Sequence, residues 1–290
     1  MYQTLTADSQ RQKTKNTCGK ILGNIGLFLL VFLAAVPVLW LIYLSLKSNT
    51  DILTNPLALP DTLHWENYVN AWTAANISTY FFNTLLVVGG TALLLLLLSS
   101  TTAFVLAKYR FPGRGFLENV YVACTGVPMV LVLVPLFFLC NTLHLTNNLW
   151  GLILVYPVLY LPFSIFLLMG FFKGVPNSLL EAAMIDGASE YGIFFRVTLP
   201  LVKSGLLIVT IVNVMNYWNE YTFALTFLSD ETKFTLSIGI NYLSSAMQYR
   251  TDFGALFAGL VISMIPVLVL YAIFNKQLQE GMAVNSAVKG

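Results

Sequence analysis

The sequence contains few charged residues. Only 10% of its 290 residues are Asp, Glu, Lys or Arg, whereas soluble domains carry roughly a quarter. The formal net charge of +2 is small and scattered, and no basic stretch is interleaved with aromatic residues, so nucleic acid is not expected as a partner. A sizeable soluble domain and a nucleic-acid-binding surface are both excluded.

Residues that bind metals are equally scarce. Cys18, Cys124 and Cys140 follow no metal-ligand spacing, and a thiol inside an apolar segment usually packs as a small hydrophobic group. His64 and His144 lie far apart, without carboxylates at ligand spacing. We therefore predict no metal site and no catalytic centre.

Apolar residues, by contrast, are abundant. They make up 57% of the chain, and the mean hydropathy is +0.76. Because a membrane helix needs about 20 apolar residues, the chain can hold about six spans. We predict an all-α membrane protein with spans at residues 21–46, 82–107, 118–140, 149–172, 206–228 and 255–275.

Basic residues indicate the orientation, since Lys and Arg in short loops accumulate on the cytoplasmic side. With both termini inside, only Lys47, Lys233 and Arg250 lie in outside segments. The inside segments carry Arg11, Lys13, Lys15, Lys20, Lys108, Arg110, Arg114, Lys173, Arg196, Lys203, Lys276 and Lys289. The predicted organisation is a cytoplasmic segment 1–20, a membrane domain 21–275 with a cytoplasmic loop at about 173–205, and a cytoplasmic tail 276–290.

That cytoplasmic loop contains the longest hydrophilic stretch in the middle of the chain, EAAMIDGASEYGIFFRVTLP. Ser178 and Glu181 have the spacing of a capping box, which predicts a helix beginning near Ser178. Gly187 is placed to end that helix in a left-handed turn, and residues 189–198 can form a second helix. Pro200 suits the first turn of the next span.

The loop also carries more apolar side chains than a solvated loop needs, so something must cover them. The list is Leu179, Leu180, Ala183, Met184, Ile193, Phe194, Phe195 and Val197. One interpretation is that the loop folds back against the ends of the spans. The other is that its helix docks into a groove of a partner protein, where the small Ala182 and Ala183 permit close approach.

A polar face is predicted on the fifth span. Asn213, Asn216 and Glu220 follow the helical repeat, and Tyr217 and Asn219 lie beside them. An ionisable group in a membrane faces a partner or a wet cavity. The face therefore either lines a route for a hydroxyl-rich solute or forms hydrogen bonds between helices.

The loop resembles the EAA motif of binding-protein-dependent ABC importer permeases, and the chain as a whole resembles the carbohydrate-uptake, MalG-like branch. In the loop the matching residues are Glu181, Ala182, Ala183, Asp186, Gly187, Ala188, Phe195, Leu199 and Pro200. Elsewhere they are Glu66-Asn67-Tyr68, Arg110-Phe111-Pro112-Gly113, Trp218-Asn219-Glu220 and Val288-Lys289-Gly290.

The resemblance implies that the first loop helix is a coupling helix that docks into a cytoplasmic ATPase. Its expected contact residues are Glu181, Ala182, Ala183, Met184, Asp186 and Gly187. The resemblance further implies a second permease subunit, a dimer of ATPase subunits and an extracytoplasmic sugar-binding protein, all assembled in a bacterial or archaeal cell membrane. Lys289 and Gly290, at the end of the tail, would either reach the ATPase, as the resemblance implies, or belong to a disordered end.

The source of energy is the remaining question. The chain has no Gly-x-x-x-x-Gly-Lys-Ser/Thr loop, so we expect no bound cofactor here and expect ATP and Mg²⁺ in the partner ATPase. A secondary transporter coupled to an ion gradient would need several ionisable residues in the membrane, and Glu220 alone is predicted there. That transporter, and a membrane scaffold without transport activity, are the alternatives to an ATP-driven sugar importer.

Overall fold

Every secondary-structure element in the described residues, 2–246 and 252–287 of this computed structural model, is a helix. Side chains are described for residues 23–245 and 252–277. The α-helices are α1 (Tyr2–Ser45), α2 (Asn49–Thr54), α3 (Glu66–Trp72), α4 (Ile77–Lys108), α5 (Arg114–Thr125), α6 (Leu133–Thr142), α7 (Leu149–Gly174), α8 (Asn177–Ile185), α9 (Glu190–Gly192), α10 (Leu199–Leu201), α11 (Lys203–Trp218), α12 (Thr222–Phe227), α13 (Leu236–Ala246) and α14 (Phe253–Ala287). Two 3₁₀ helices, Met129–Val132 and Glu231–Lys233, and a π-helix, Ile193–Thr198, complete the set.

Four of these helices are long and apolar enough to cross a membrane unaided: Gly23–Ser45 of α1, Ile77–Lys108, Leu149–Gly174 and Phe253–Gln277 of α14. Two further candidates are bent pairs, Arg114–Thr125 with Met129–Thr142 and Glu190–Leu201 with Lys203–Trp218. If each pair is one span, the structure has the six spans that hydropathy predicts.

The third predicted span, 118–140, is wrong as a single helix. The chain bends by 100° between α5 and the following helices. Gly126 closes α5, and Pro128 takes an extended conformation with ψ of 123°. Because proline has no amide donor and excludes helical geometry from the residue before it, Val127 and Pro128 end one helix and begin another.

The fifth predicted span, 206–228, is also interrupted. Helix α11 ends at Trp218, and the chain leaves helical geometry before α12 begins at Thr222. At its other end α11 is separated by Val202 from α10, and the whole segment from Glu190 to Trp218 is bent by 76°. Pro200 lies at the start of α10, one helix earlier than the predicted first turn of the span.

The first and last helices extend beyond their predicted spans. Helix α1 continues through the predicted terminal segment from Tyr2, and α14 continues through the predicted tail to Ala287. Residues 23–43 of α1 are all at least partly exposed, whereas Leu44 and Ser45 at its end are buried, and α1 packs against α14. Its apolar surface is therefore open to lipid or to another subunit.

Helices α4 and α7 pack along each other at the centre of the bundle, with a hydrophobic cluster towards each end. One cluster surrounds Phe104, Phe172 and Phe194 beside the segment 173–205. The other surrounds Tyr80, Tyr156 and Trp218, at the opposite end. Each end of the bundle therefore has its own core, and α4 and α7 join them.

Candidate coupling loop and polar site

The EAA loop, residues 173–205, begins with the predicted helix and glycine turn. Helix α8 ends at Ile185, and Gly187 has a φ of 79°. The Gly187 amide donates to Met184 O at 3.0 Å, and the Ala188 amide donates to Ala183 O at 2.9 Å. These bonds satisfy the last carbonyl groups of the helix, and they need a residue that accepts a positive φ. The predicted role of Gly187 in the turn is confirmed.

The predicted capping box is wrong. Helix α8 begins at Asn177, and the position before it is occupied by Pro176, which makes no side-chain capping bond. Ser178 is therefore already inside the helix, where its hydroxyl cannot cap the first turn. A serine cap exists instead on the second arm of the loop, where Ser189 Oγ accepts a hydrogen bond from the Gly192 amide at 3.2 Å.

The second arm is helical over the predicted range, although its form is unexpected. After one turn of α-helix at Glu190–Gly192, residues Ile193–Thr198 form a π-helix. Thr198 Oγ1 donates to Ile193 O at 2.9 Å, five residues back. A π-helix holds an extra residue in its turn, which rotates the side chains that follow it. Sequence periodicity cannot reveal that change.

One face of the EAA loop folds back onto the spans. Leu180, Ile193 and Phe194 are all less than a tenth exposed. The ring of Phe194 lies 5.1 Å from that of Phe104 on α4, between ring centroids. The apolar residues of this face are therefore covered within the chain, as one of the two interpretations requires.

The opposite face remains open. Ile185, which points away from Leu180 on α8, is 87% exposed. Met184, one turn after Leu180, is 50% exposed, and Leu179 and Phe195 are also exposed. The predicted contact residues lie on or beside this face: Glu181, Ala182, Asp186 and Gly187 are exposed, and Ala183 is half-buried. Within the described residues, Glu181 has no ion pair or hydrogen-bonding side-chain partner. The two interpretations therefore apply to different faces of one loop.

Glu220 lies outside the fifth-span helix on which it was predicted. Its carboxylate accepts hydrogen bonds from the Phe223 amide at 2.8 Å, the Ala224 amide at 3.0 Å and the Tyr156 hydroxyl at 2.6 Å. The first two bonds cap the start of α12, and the third joins Glu220 to α7. A charge that accepts three bonds at a helix start is well stabilised in this site.

The other residues of the predicted polar face point in different directions. Asn213 is fully buried, and its amide donates to Ser164 Oγ at 3.0 Å. Tyr217 is also buried, and its ring stacks on Tyr156 with centroids 5.7 Å apart. Asn216 and Asn219 are exposed, although Asn219 donates to Met215 O at 2.7 Å. These four residues and Glu220 therefore do not form the single polar face that was predicted.

Tyr156 is the member of this polar site that sequence reasoning missed. It is 1% exposed and lies on α7, 64 residues before Glu220 in the chain. A tyrosine inside an apolar helix is a weak signal for a buried acceptor, because a buried hydroxyl usually finds a partner. That signal does not identify the acceptor to which the Tyr156 hydroxyl donates.

Two other predictions concern the tail and metals. Lys289 and Gly290 lie outside the described residues. Within residues 2–246 and 252–287, no group of three or more His, Cys, Asp or Glu is placed to share a metal ion.

Comparison with known families and structures places the chain among transport proteins. Residues 96–284 match the family described as binding-protein-dependent transport system inner membrane component. The chain is 40% identical over 243 residues to the diacetylchitobiose uptake system permease protein NgcG of Streptomyces coelicolor, covering 84% of this chain and 80% of that one. It is 32% identical to the arabinooligosaccharides transport system permease protein AraQ of Bacillus subtilis, covering 90% and 93%.

The fold also matches a solved structure. A crystal structure of a bacterial ABC transporter involved in import of the acidic polysaccharide alginate aligns with a TM-score of 0.76. The sequences are 23% identical, and the match covers 89% of this chain and 96% of that chain. This confirms the prediction of an all-α fold of the ABC importer permease kind. Together the matches show that the chain belongs to the inner membrane components of binding-protein-dependent transport systems, and is a multi-pass permease of the bacterial cell membrane.

Proposed function

We propose that this permease imports a di- or oligosaccharide, that it forms one half of the translocation pathway, and that separate ATPase subunits drive it. The sugar class is supported by the relatives, which are named for uptake of diacetylchitobiose and arabinooligosaccharides. A trehalose transport permease of Mycobacterium tuberculosis, 29% identical, supports the same class. The relatives differ in cargo, so the individual sugar is not proposed.

The observation that carries the proposal is the open apolar face of α8. An amphipathic helix buries such a face in a groove of its partner. Burial of a large aliphatic side chain contributes about 1.5–3 kcal/mol, so covering Ile185 and Met184 would provide a substantial part of a docking energy. Glu181, on the same short helix, is available to pair with a basic residue of the ATPase.

In this assembly ATP and Mg²⁺ are held by the ATPase subunits. When the ATPase dimer closes on ATP, each docked loop moves with its ATPase subunit. The buried side of the loop, with Leu180 and Phe194, passes that movement to the ends of α4 and α7, because close-packed side chains transmit displacement. The permease thereby switches between inward-open and outward-open states.

The pathway requires a second permease subunit, and we propose a heterodimer. Asn216 and Asn219 are exposed on this chain and can face the sugar or the second subunit. Asn213, Tyr217 and Glu220 would then support the pathway from behind, through their buried contacts. The open surface of α1 offers area for contact with lipid and with the second subunit.

The sugar would be delivered by an extracytoplasmic binding protein. A second crystal structure shows a bacterial alginate ABC transporter in complex with an alginate pentasaccharide-bound periplasmic protein, and it aligns with a TM-score of 0.58 at 16% identity. That complex supports a comparable partner here. The segment 49–80 and the segment 229–254 lie on the predicted outer side and would meet it.

The proposal is tested by purifying the tagged chain with its associated subunits and reconstituting it in proteoliposomes. Uptake of trehalose, diacetylchitobiose and arabinooligosaccharides is measured with and without enclosed ATP and the cognate binding protein. We expect uptake of one of these sugars to require both, and to persist when ionophores collapse the ion gradients. Uptake that needs an ion gradient and no ATP would identify a secondary transporter instead, and absence of uptake of any sugar by an intact complex would contradict the sugar class.

A further inference from the structure

We infer that the connection from Lys108, the last residue of α4, to Arg114, the first residue of α5, holds the EAA loop by both of its arms, so that Lys108 and Tyr109 are positioning residues for coupling. This inference rests on the proposed function of the loop. It gives a role to Arg110-Phe111-Pro112-Gly113 and its neighbours, which the docking surface itself does not include.

Lys108 holds the first arm. Its ammonium group donates to Val175 O and, at 3.1 Å, to Asn177 Oδ1. Val175 closes α7 and Asn177 opens α8, so the two acceptors lie on either side of Pro176. A single cation therefore bridges the joint between the central span and the coupling helix, and it supplies a donor to the carbonyl group of Val175 at the end of the span.

Tyr109 holds the second arm. Its hydroxyl donates to Glu190 Oε2, on the first residue of the second arm. Partial burial and the nearby Glu190 carboxylate raise the pKa of Tyr109 to about 12, so the hydroxyl remains a donor at physiological pH. The Tyr109 ring also packs edge-on against Phe104, at 5.6 Å between centroids, and Phe104 in turn contacts Phe194 of the same arm.

The segment itself is fixed at its far end. Gly113 has a φ of 85°, which allows the chain to turn back so that Arg114 Nη1 donates to Tyr109 O at 3.3 Å. Arg114 Nε also pairs with Glu118 at 2.8 Å, and Glu118 accepts from Lys173 at 3.4 Å. The ends of α4, α5 and α7 and both arms of the loop thus belong to one connected polar network.

The consequence is that the EAA loop cannot move without α4. This helix has 32 residues and contains no proline, so it spans about 48 Å without a break. At its opposite end the Tyr80 hydroxyl donates to Glu231 at 2.9 Å, and Thr84 Oγ1 accepts from the Leu236 amide at 2.8 Å. Helix α4 therefore connects the loop to the turn between α12 and α13, on the predicted outer side.

The test uses the complete transporter, reconstituted with its ATPase subunits and binding protein. Tyr109→Phe removes only the hydroxyl, and Lys108→Met removes only the charge. Matched controls are Tyr121→Phe and Lys203→Met, whose side chains make no hydrogen bond or ion pair within the described residues. Hydrogen exchange is followed at the loop amides, including those of Gly187, Ala188 and Ile193, and sugar transported per ATP hydrolysed is measured in parallel.

We expect exchange of the loop amides to become about fivefold faster in Tyr109→Phe and Lys108→Met, which is the effect of losing one hydrogen bond. We also expect less sugar transported per ATP, with the ATPase still bound and with both controls at the wild-type value. Wild-type exchange and wild-type coupling in both variants would overturn the inference and leave the proposed function intact. A wild-type chain that retains no ATPase during purification would instead overturn the proposed function, and this inference with it.

Discussion

Two polar interruptions of an apolar sequence, the EAA loop and the site around Glu220, reach opposite outcomes in the fold. At Glu220 every described polar contact is made within the chain, since two amides and the buried Tyr156 hydroxyl donate to one carboxylate. In the EAA loop the side chains of Ile185 and Met184 remain exposed beside the exposed Glu181. The Glu220 carboxylate is thus satisfied within the chain, whereas the exposed side of the EAA loop is the surface that the proposed ATPase contact would cover.

This difference shows how to separate structure from function when both sites look polar in the sequence. Burial of an ionisable group costs little only when hydrogen bonds compensate it, and Glu220 is so compensated. Exposed apolar side chains on a short helix have no such internal explanation, and an unusually apolar surface marks an interaction site. Exposed apolar side chains outside the predicted spans, as at Ile185, are therefore the observation on which the proposed docking surface rests.

The largest effect is expected from Gly187→Val. A β-branched residue is strained at the φ of 79° that Gly187 adopts, by roughly 1–2 kcal/mol or more, so the turn must rebuild and the coupling helix shifts. We expect sugar uptake in proteoliposomes to fall at least tenfold. The control is Gly174→Val, since Gly174 has no positive φ and open space at its Cβ position. Equal uptake by the two variants would contradict the importance of the turn.

The substitutions Leu180→Ala and Ile185→Ala distinguish the roles of the buried and the exposed face of α8. Leu180 is 8% exposed, so its truncation leaves a cavity and costs about 2–5 kcal/mol of stability. Ile185 is 87% exposed, and its truncation leaves the stability of the isolated chain unchanged. Thermal unfolding of the solubilised chain measures both. A large drop in the melting temperature of Ile185→Ala would show that this face is covered within the chain.

Glu220→Gln tests whether the Glu220 carboxylate is satisfied within the chain. The Glu220 carboxylate accepts hydrogen bonds from three donors. Gln keeps only one acceptor oxygen, so its NH2 group faces at least one of these donors and cannot accept from it. Loss of the cap on α12 is expected to cost about 1 kcal/mol or somewhat more, measured as a lower melting temperature. Tyr156→Phe removes one donor and serves as the milder comparison. Unchanged melting with strongly reduced uptake would assign Glu220 to the pathway instead.

The smallest effect is expected from Asn216→Ala. Because Asn216 is exposed, its truncation leaves stability unchanged and raises the KM for sugar uptake severalfold if the residue faces the pathway. Asn213→Ala is the counterpart, because Asn213 is buried and donates to Ser164. It lowers the melting temperature. An unchanged KM in Asn216→Ala would remove this residue from the pathway.

The sequence predicts the apolar segments and the glycine turn because both depend on local chemistry. An apolar run of sufficient length predicts a span wherever it lies in the sequence. Glycine, the residue at position 187, is one of the few residue types suited to a positive φ. The third span shows the limit of this reasoning. Pro128 predicts a kink, but the size of the bend, 100°, depends on how α5 and α6 pack after the break.

The remaining errors arise where two local signals compete or where the partner is distant. The capping-box spacing of Ser178 and Glu181 was outweighed by Pro176, which ends the preceding turn and places Ser178 inside α8. The fifth span contains no proline or glycine near Trp218, so no helix-breaking residue marks the end of α11. The Tyr156 hydroxyl that meets Glu220 belongs to a different helix, which local patterns cannot show.

The most direct test is co-purification of the ATPase with the tagged chain, comparing the wild type with Ile185→Asp and with Leu225→Asp. Leu225 is also exposed, at 47%, and lies on α12 at the opposite end of the bundle. The open face of α8 predicts that wild type and Leu225→Asp retain the ATPase and that Ile185→Asp loses most of it, with all three inserted in the membrane. Full retention by Ile185→Asp would contradict docking through this face.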